Sequence, residues 1–315
     1  MTYDYCLSCG KPLVGKEKEI GWKKKCLIRM FSSPTLPNIV LDEKAITYIA
    51  KSHIKEGNAL SGVQKKLSFG LSKNKGGHLS LIDYPTGYIL KPQCDDPFFP
   101  ESENLVMNLA EIAGIVTVPH GLIPVGDSLA YICKRIDREN NKKIPMEDFC
   151  QLSLRLTEDK YKGSYEAMKG VILKYSSNPR LDEVELFYRL LFCFLTLNSD
   201  MHLKNFSLWD NGNGYRLSPC YDLLPVNLVF PYDMEETALS LNGKKKNLRL
   251  KDFLAFAENG TDKEVIERRV ALNIIHKLLT LEERFIEEIE HSYLSDEYKK
   301  KFIFLMKERF DRLRG

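Results

Sequence analysis

The chain predicts an α+β fold in two parts, a small strand-rich half followed by a larger helical one, and three observations carry that prediction. From residue 59 to about 135, short alternating runs are broken by glycine. After residue 137, apolar residues recur at three and four positions, which is the helical period. With 315 residues, 43% hydrophobic and 28% charged, the chain is long enough for two lobes and a substantial core.

Taken in order, residues 1–32 form a flap that carries Cys6, Cys9 and Cys26. SSPTLPN then supplies a loop, and LDEKAITYIAKSHI has the spacing of a short amphipathic helix. KKLSFGLSK, GHLSLIDY and GYILKP predict strands, ESENLVMNLAEIAGI a helix, and HGLIPVGDSLAYICKRI a strand pair, closing a unit over 33–136. In 137–315, MEDFCQLSLRL, SYEAMKGVILKYS, residues 182–197, 250–258 and the charged stretch 262–314 predict helices. No internal repeat is present in the sequence.

Composition excludes some classes of function. A net charge of +3 from 46 basic and 43 acidic residues gives no argument for a surface that coats nucleic acid, and the runs Lys23 to Lys25 and Lys244 to Lys246 read as solvated faces. No apolar run approaches membrane-spanning length and no secretory leader opens the chain, so a cytoplasmic protein with eight reduced thiols is expected. Cys6-x-x-Cys9 followed by Cys26 has the knuckle spacing of a zinc site. The sequence around Cys26, GWKKKCLIRMF, offers no fourth ligand, so three reduced thiols are the expectation and zinc the less favoured alternative.

The chemistry concentrates after the apolar run ELFYRLLFCFLTL, in NSDMHLKNFSLWDNGNGYRLSPCYDLLP. Asp200 and Asn205 have the D-x-x-x-x-N spacing of a phosphotransferase loop, in which the aspartate receives the acceptor proton and the asparagine holds magnesium. Asp and Asn also serve as ordinary caps after a helix, so the spacing alone does not decide. FSLWDNGNGYRL predicts a hairpin, and Asp222 follows it where a kinase keeps its second metal ligand. Here the triplet is Asp222-Leu223-Leu224, and Asn-Ser precedes Asp200, which separates the chain from ordinary protein kinases. Upstream, Lys91 ends a strand and Glu103 opens a helix, as expected of a phosphate lysine and the acid that orients it.

NALSGVQKKLS, residues 58–68, completes a set. With GYILKP, NSDMHLKNFS and the Tyr221-Asp222 motif it resembles the HipA family of bacterial toxin kinases, over residues 58 to about 290. The resemblance implies a bilobal protein-kinase-like fold acting with ATP and Mg2+. It implies Asp200 as base, Asn205 and Asp222 as metal ligands, Lys91 on the phosphates and Glu103 supporting it. The loop Ser61, Gly62, Val63, Gln64, Lys65 and Lys66 would lie against the nucleotide, together with Tyr221. Adenine would meet Lys134, Arg135 and Ile136, while His202 and Lys204 would flank the transferred phosphate.

The resemblance also implies partners: an aminoacyl-tRNA synthetase as substrate, a helix-turn-helix antitoxin, and DNA reached only through that antitoxin, with no membrane. Only 58 residues precede the loop, as in the shortened, HipT-like branch, in which a separate small protein supplies the missing N-terminal subdomain. Ala59 stands where the family's autophosphorylated serine commonly lies, which leaves Ser61 as the candidate for self-modification. An aminoglycoside-type small-molecule phosphotransferase, a non-catalytic nucleotide-binding regulator and a DNA-binding regulator are the alternatives.

Overall fold

The computed structural model describes residues 2–40, 67–71, 78–81, 87–139, 142–210, 212–260 and 265–315. They fall into two compact units. The first comprises Met1–Asn108, Val118–Lys143 and His291–Leu294; the second comprises Leu109–Thr117, Ile144–Glu290 and Ser295–Gly315. The helix expected over 41–54 and the loop Ser61 to Lys66 lie outside the described residues.

The first unit is built on a six-stranded sheet in the order β1-β3-β2-β4-β6-β5. Its strands are β1 (Asn38–Val40), β2 (Leu67–Leu71), β3 (His78–Leu81), β4 (Tyr88–Lys91), β5 (His120–Val125) and β6 (Ser128–Lys134). All neighbours are antiparallel except β1 and β3. The strand β1 was not expected; three residues are too few for a period-2 pattern to register. Pairing of β4 with β6 sets Lys91 opposite Tyr131, and Tyr88, Leu90, Ile132 and Cys133 are buried along it.

The flap packs on β5 within this unit. Leu122 N–H donates to Leu7 O at 2.7 Å, Trp22 Nε1 to Leu122 O at 3.0 Å, and Ser8 Oγ to His120 O at 2.7 Å. Gly121 is required here because a side chain on it would enter the Trp22 ring. Helix α1 (Lys24–Phe31) buries Cys26, Leu27, Met30 and Phe31.

Helix α2 (Phe99–Ile112) belongs to the first unit through Asn108. The second unit then contains α3 (Tyr165–Tyr175), α4 (Pro179–Leu195), α5 (Leu250–Glu258), α6 (Arg268–Leu279), α7 (Glu282–His291) and α8 (Asp296–Arg314). Pro179 starts α4 at a position where its missing N–H is harmless. Leu186 to Leu195 are buried without interruption, which is why the sequence there is apolar on every side but for Arg189, whose guanidinium pairs with Glu185 at 2.8 Å. Rings from the surrounding helices meet α4: Phe187 stacks on Phe256 at 6.1 Å, Phe194 lies 5.1 Å from Phe253, and Phe192 meets Phe285 edge-on at 6.1 Å.

A three-stranded antiparallel sheet lies beside the apolar helix. It consists of β7 (Met146–Asp148), β8 (Ser207–Asp210) and β9 (Tyr215–Leu217), ordered β9-β8-β7. MEDFCQLSLRL therefore departs from expectation: Met146–Asp148 is a strand and only Phe149–Leu152 is helical. Asp148 ends one and starts the other, because its carboxylate accepts from Gln151 N–H while the Gln151 side chain accepts from Asp148 N–H.

Candidate active site

The loop after α4 begins with a forced turn. Leu197 takes a left-handed φ of 63°, and Asn198 N–H donates back to Cys193 O at 2.8 Å, closing the helix. A branched side chain in that conformation costs about 1 kcal/mol, tolerable only where the surroundings dictate it. Asn198 Oδ1 then accepts from Asp200 N–H at 3.2 Å, an Asx turn that sets the aspartate's backbone.

Asp200 and Asn205 are joined through the main chain. Asp200 O accepts from His202 N–H at 2.8 Å and from Asn205 Nδ2 at 2.8 Å. Since that carbonyl can only accept, the amide nitrogen of Asn205 must face it, and Oδ1 is the atom turned outward. The five-residue spacing thereby leaves one amide oxygen and one carboxylate as acceptors from a single short loop. Asp200 Oδ1 accepts from the Tyr161 hydroxyl at 2.6 Å. The Tyr161 ring also meets the His202 ring edge-on, 5.0 Å between centroids.

Hairpin β8–β9 carries the chain onward to Asp222. Asp210 Oδ1 accepts from Gly212 and Gly214 N–H, both at positive φ (98° and 84°), which is why the turn is written DNGNG. Asp222 itself has φ 54°, and its charge together with that of Asp200 acts on His202. Burial is the larger influence on His202 and holds its pKa below the usual imidazole value; its Nδ1 is sealed without a hydrogen-bond partner. Tyr221 is an anchor, its hydroxyl sharing a 2.6 Å hydrogen bond with Ser207 Oγ and donating to Lys204 O at 3.2 Å. Lys204 Nζ pairs with Asp148 at 2.9 Å, which ties the loop to β7.

In the first unit, Lys91 and Glu103 form the expected pair, 2.6 Å apart with side chains 4% and 2% exposed. Lys91 Nζ also sits 5.3 Å from the centroid of Tyr131, the residue opposite it in the sheet. Two backbone donors here are already engaged: Lys134 N–H donates to Pro119 O and Arg135 N–H to Gly87 O, each at 2.8 Å. An adenine base could therefore meet only other groups of the Lys134 to Ile136 backbone.

Sequence reading missed Tyr161, which lies 39 positions before Asp200, and Asp148, 56 positions before Lys204. Tyr161 stands in DKYKGS with nothing to mark it. Asp148 did carry a signal, since Asp148-x-x-Gln151 is a capping pair.

Residues 58–285 match the family model described as HipA-like C-terminal domain. Among related sequences, a Haemophilus influenzae protein named "Putative kinase" is 26% identical over 87% of this chain and 88% of its own length. "Putative kinase Y4dM" of Sinorhizobium fredii is 34% identical over 68% of this chain; the match spans 56% of that longer protein. The fold is that of a chain in the Shewanella oneidensis toxin–antitoxin complex of HipA, HipB and operator DNA, with a TM-score of 0.72 at 19% identity over 89% of this chain and 72% of that one. The Helicobacter pylori proinflammatory kinase CtkA superposes with a TM-score of 0.54 at 15% identity, covering 78% of this chain and 93% of its own. With its two-unit α+β architecture and a match over most of its length, the chain belongs to the HipA family.

Proposed function

We propose that this chain is an ATP- and magnesium-dependent serine/threonine protein kinase and the toxin of a bacterial toxin–antitoxin system. The observation that carries the reading is the Tyr161 hydroxyl, held 2.6 Å from Asp200 Oδ1. A hydroxyl donating to that carboxylate stands as an acceptor serine or threonine would, ready to give up its proton as the oxygen attacks.

The donor set suits the cation. Asn205 Oδ1 and the Asp222 carboxylate are hard oxygen ligands, the type magnesium takes, and neither position offers sulfur or imidazole. When bound, magnesium supplies positive charge to the phosphates as the γ-phosphoryl group leaves. Lys91, kept in place by Glu103, serves the nucleotide phosphates. Asp200 orients the acceptor hydroxyl and takes its proton, and the ties of Asn198, His202 and Asn205 fix the main chain that presents the carboxylate. His202, neutral through burial, adds no charge beside the transferred group.

The finer parts of the reading follow from family membership. The substrate class is an aminoacyl-tRNA synthetase, and the Shewanella complex supports an antitoxin that carries the DNA contact. A separate small protein supplies the N-terminal subdomain, and Ser61 is the site of self-modification. The protein works in the cytoplasm; no described helix is long and apolar enough to cross a membrane.

The intact mass of wild type and Asp200→Asn, before and after incubation with magnesium and ATP, tests the reading. A phosphate gained only by the wild type, mapped to Ser61, supports both kinase activity and self-modification. Labelled-ATP transfer to a synthetase in lysate, lost in Asp200→Asn, tests the substrate class. If ATP binds but neither experiment shows transfer, the kinase reading is refuted in favour of a nucleotide-binding regulator.

A further inference from the structure

We propose that Cys6, Cys9 and Cys26 hold one zinc ion, which fastens the N-terminal flap onto strand β5 of the first unit. The proposal is independent of the kinase reading. It rests first on convergence: the three sulfur atoms lie within 4.8 Å of one another, although Cys26 is separated from Cys9 by a whole turn-and-helix excursion. A tetrahedral zinc with thiolates at 2.3 Å holds sulfurs roughly 3.8 Å apart, so only a small contraction is needed.

Local backbone geometry is the second support. Gly10 N–H donates to Cys6 O at 3.0 Å, with Gly10 at φ 65°, so Cys6 and Cys9 flank one tight turn and present their sulfurs together. Lys23 N–H donates to Cys6 Sγ at 3.3 Å, an amide from the turn before α1 aimed at the first sulfur of the group. Amides aimed at sulfur stabilise thiolates and orient them, the task of the groups behind a metal's ligands. Three neutral thiols would gain little from them, since sulfur in a thiol is a weak acceptor.

Charge agrees. Three thiolates and one Zn2+ leave a single negative charge, and residues 1–32 carry seven lysines and arginines against three acids. Thiolate ligands also select zinc over the hard cations of a phosphotransfer site. Among the described residues no histidine, carboxylate or fourth thiol joins the group, so water or a small solute ligand takes the fourth position. Binding turns three thiols into thiolates and releases their protons to solvent.

A structural consequence follows within the first unit. Cys6 immediately precedes Leu7 and Ser8, which bond the β5 backbone, and Cys26 sits in α1 above Trp22, which does the same. One ion would therefore clamp both contacts.

The test uses the full chain, purified with reductant and without chelator, and reads zinc by elemental analysis. Wild type and Cys94→Ser should carry about one zinc per chain, and Cys6→Ser and Cys26→Ser at least tenfold less. Should the variants fail to fold, the wild-type protein stripped of metal is titrated with Co2+, and thiolate-to-cobalt absorption saturating near one equivalent supports the site. Thiol counting on the native chain separates the remaining cases. Six of the eight cysteines are buried, so labelling is mapped by residue: Cys6, Cys9 and Cys26 gaining reactivity when a chelator is added supports zinc. Reactivity gained only with reductant means a disulfide, and reactivity of these three that a chelator leaves unchanged, with no zinc after incubation with the metal, means free cysteines; either result overturns the proposal.

Discussion

The lysine–glutamate pair of the first unit and the aspartate loop of the second are built on opposite plans. Lys91 and Glu103 are sealed from solvent at 4% and 2% exposure and held by each other. Asp200 is positioned through its backbone, by Asn198, His202 and Asn205, and its carboxylate meets the hydroxyl of Tyr161, a residue 36% exposed. A buried charge must be paired to be tolerated at all, so the pair fixes its own geometry. A proton acceptor must stay reachable, so its placement has to come from the main chain and leave the side chain open. Function in one unit and stability in the other should therefore respond to substitution in different ways.

The largest effect should come from Asp200→Asn, which keeps shape and backbone ties while removing the proposed base. Phosphate transfer should fall by about 10²–10⁴ with no change in melting temperature. Parallel measurement of labelled-phosphate incorporation and thermal unfolding checks this; a fall in melting temperature instead would place Asp200 among the structural residues and erase the contrast.

Lys91→Met should show the reverse balance. Leaving Glu103 without its lysine in a dry site costs about 3–5 kcal/mol of stability, read by denaturant unfolding. The double variant Lys91→Met/Glu103→Leu should recover most of that loss while remaining inactive. If the double variant is no more stable than the single ones, the two residues do not act as a pair.

Much of this arrangement was legible because it is local in the chain. Asp200, Asn205, the glycines of the DNGNG turn and Asp222 fall within 23 residues, and their spacing reflects one loop and one hairpin. Lys91 and Glu103 were readable for a similar reason, as a strand end and the helix that follows it. Tyr161 was not, because its hydrogen bond to Asp200 depends on how the loop before α3 is laid against the loop that follows α4. The strand Met146–Asp148 was lost to a competing signal: apolar spacing of the following short helix extended over it. The three cysteines were legible as a group from their knuckle spacing, while how close Cys26 comes to the other two needed α1 in place.

Acid and base should separate the two units with opposite signs. Burial pushes Glu101, at the start of α2, up to about 7, and its Oε2 has no hydrogen-bond partner. The folded state then keeps a proton that the unfolded chain releases near 4.3, so stability falls by about 3 kcal/mol as pH rises from about 4.5 to about 7. Burial lowers His202 instead. There the unfolded chain takes up a proton near 6.5 that the folded state refuses, so stability falls as pH drops below that value. Glu101→Gln should flatten the first slope and His202→Gln the second, measured as melting temperature at pH 5 and pH 7.5. Identical profiles for wild type and both variants would show that these sites do not titrate as described.

The smallest expected effect, and the sharpest test of the open plan, belongs to Tyr161→Phe. If the tyrosine hydroxyl occupies the place of an acceptor hydroxyl, removing it deletes one hydrogen bond of about 0.5–1.5 kcal/mol that must be broken before substrate can donate to Asp200. Transfer at subsaturating substrate should then rise, by about twofold to tenfold, while the rate at saturation stays the same. A positioning role gives the opposite pattern, with the saturated rate falling because Asp200 loses the partner that orients it. The ratio of the two kinetic changes, rather than either alone, decides whether Tyr161 competes with substrate or prepares the carboxylate for it.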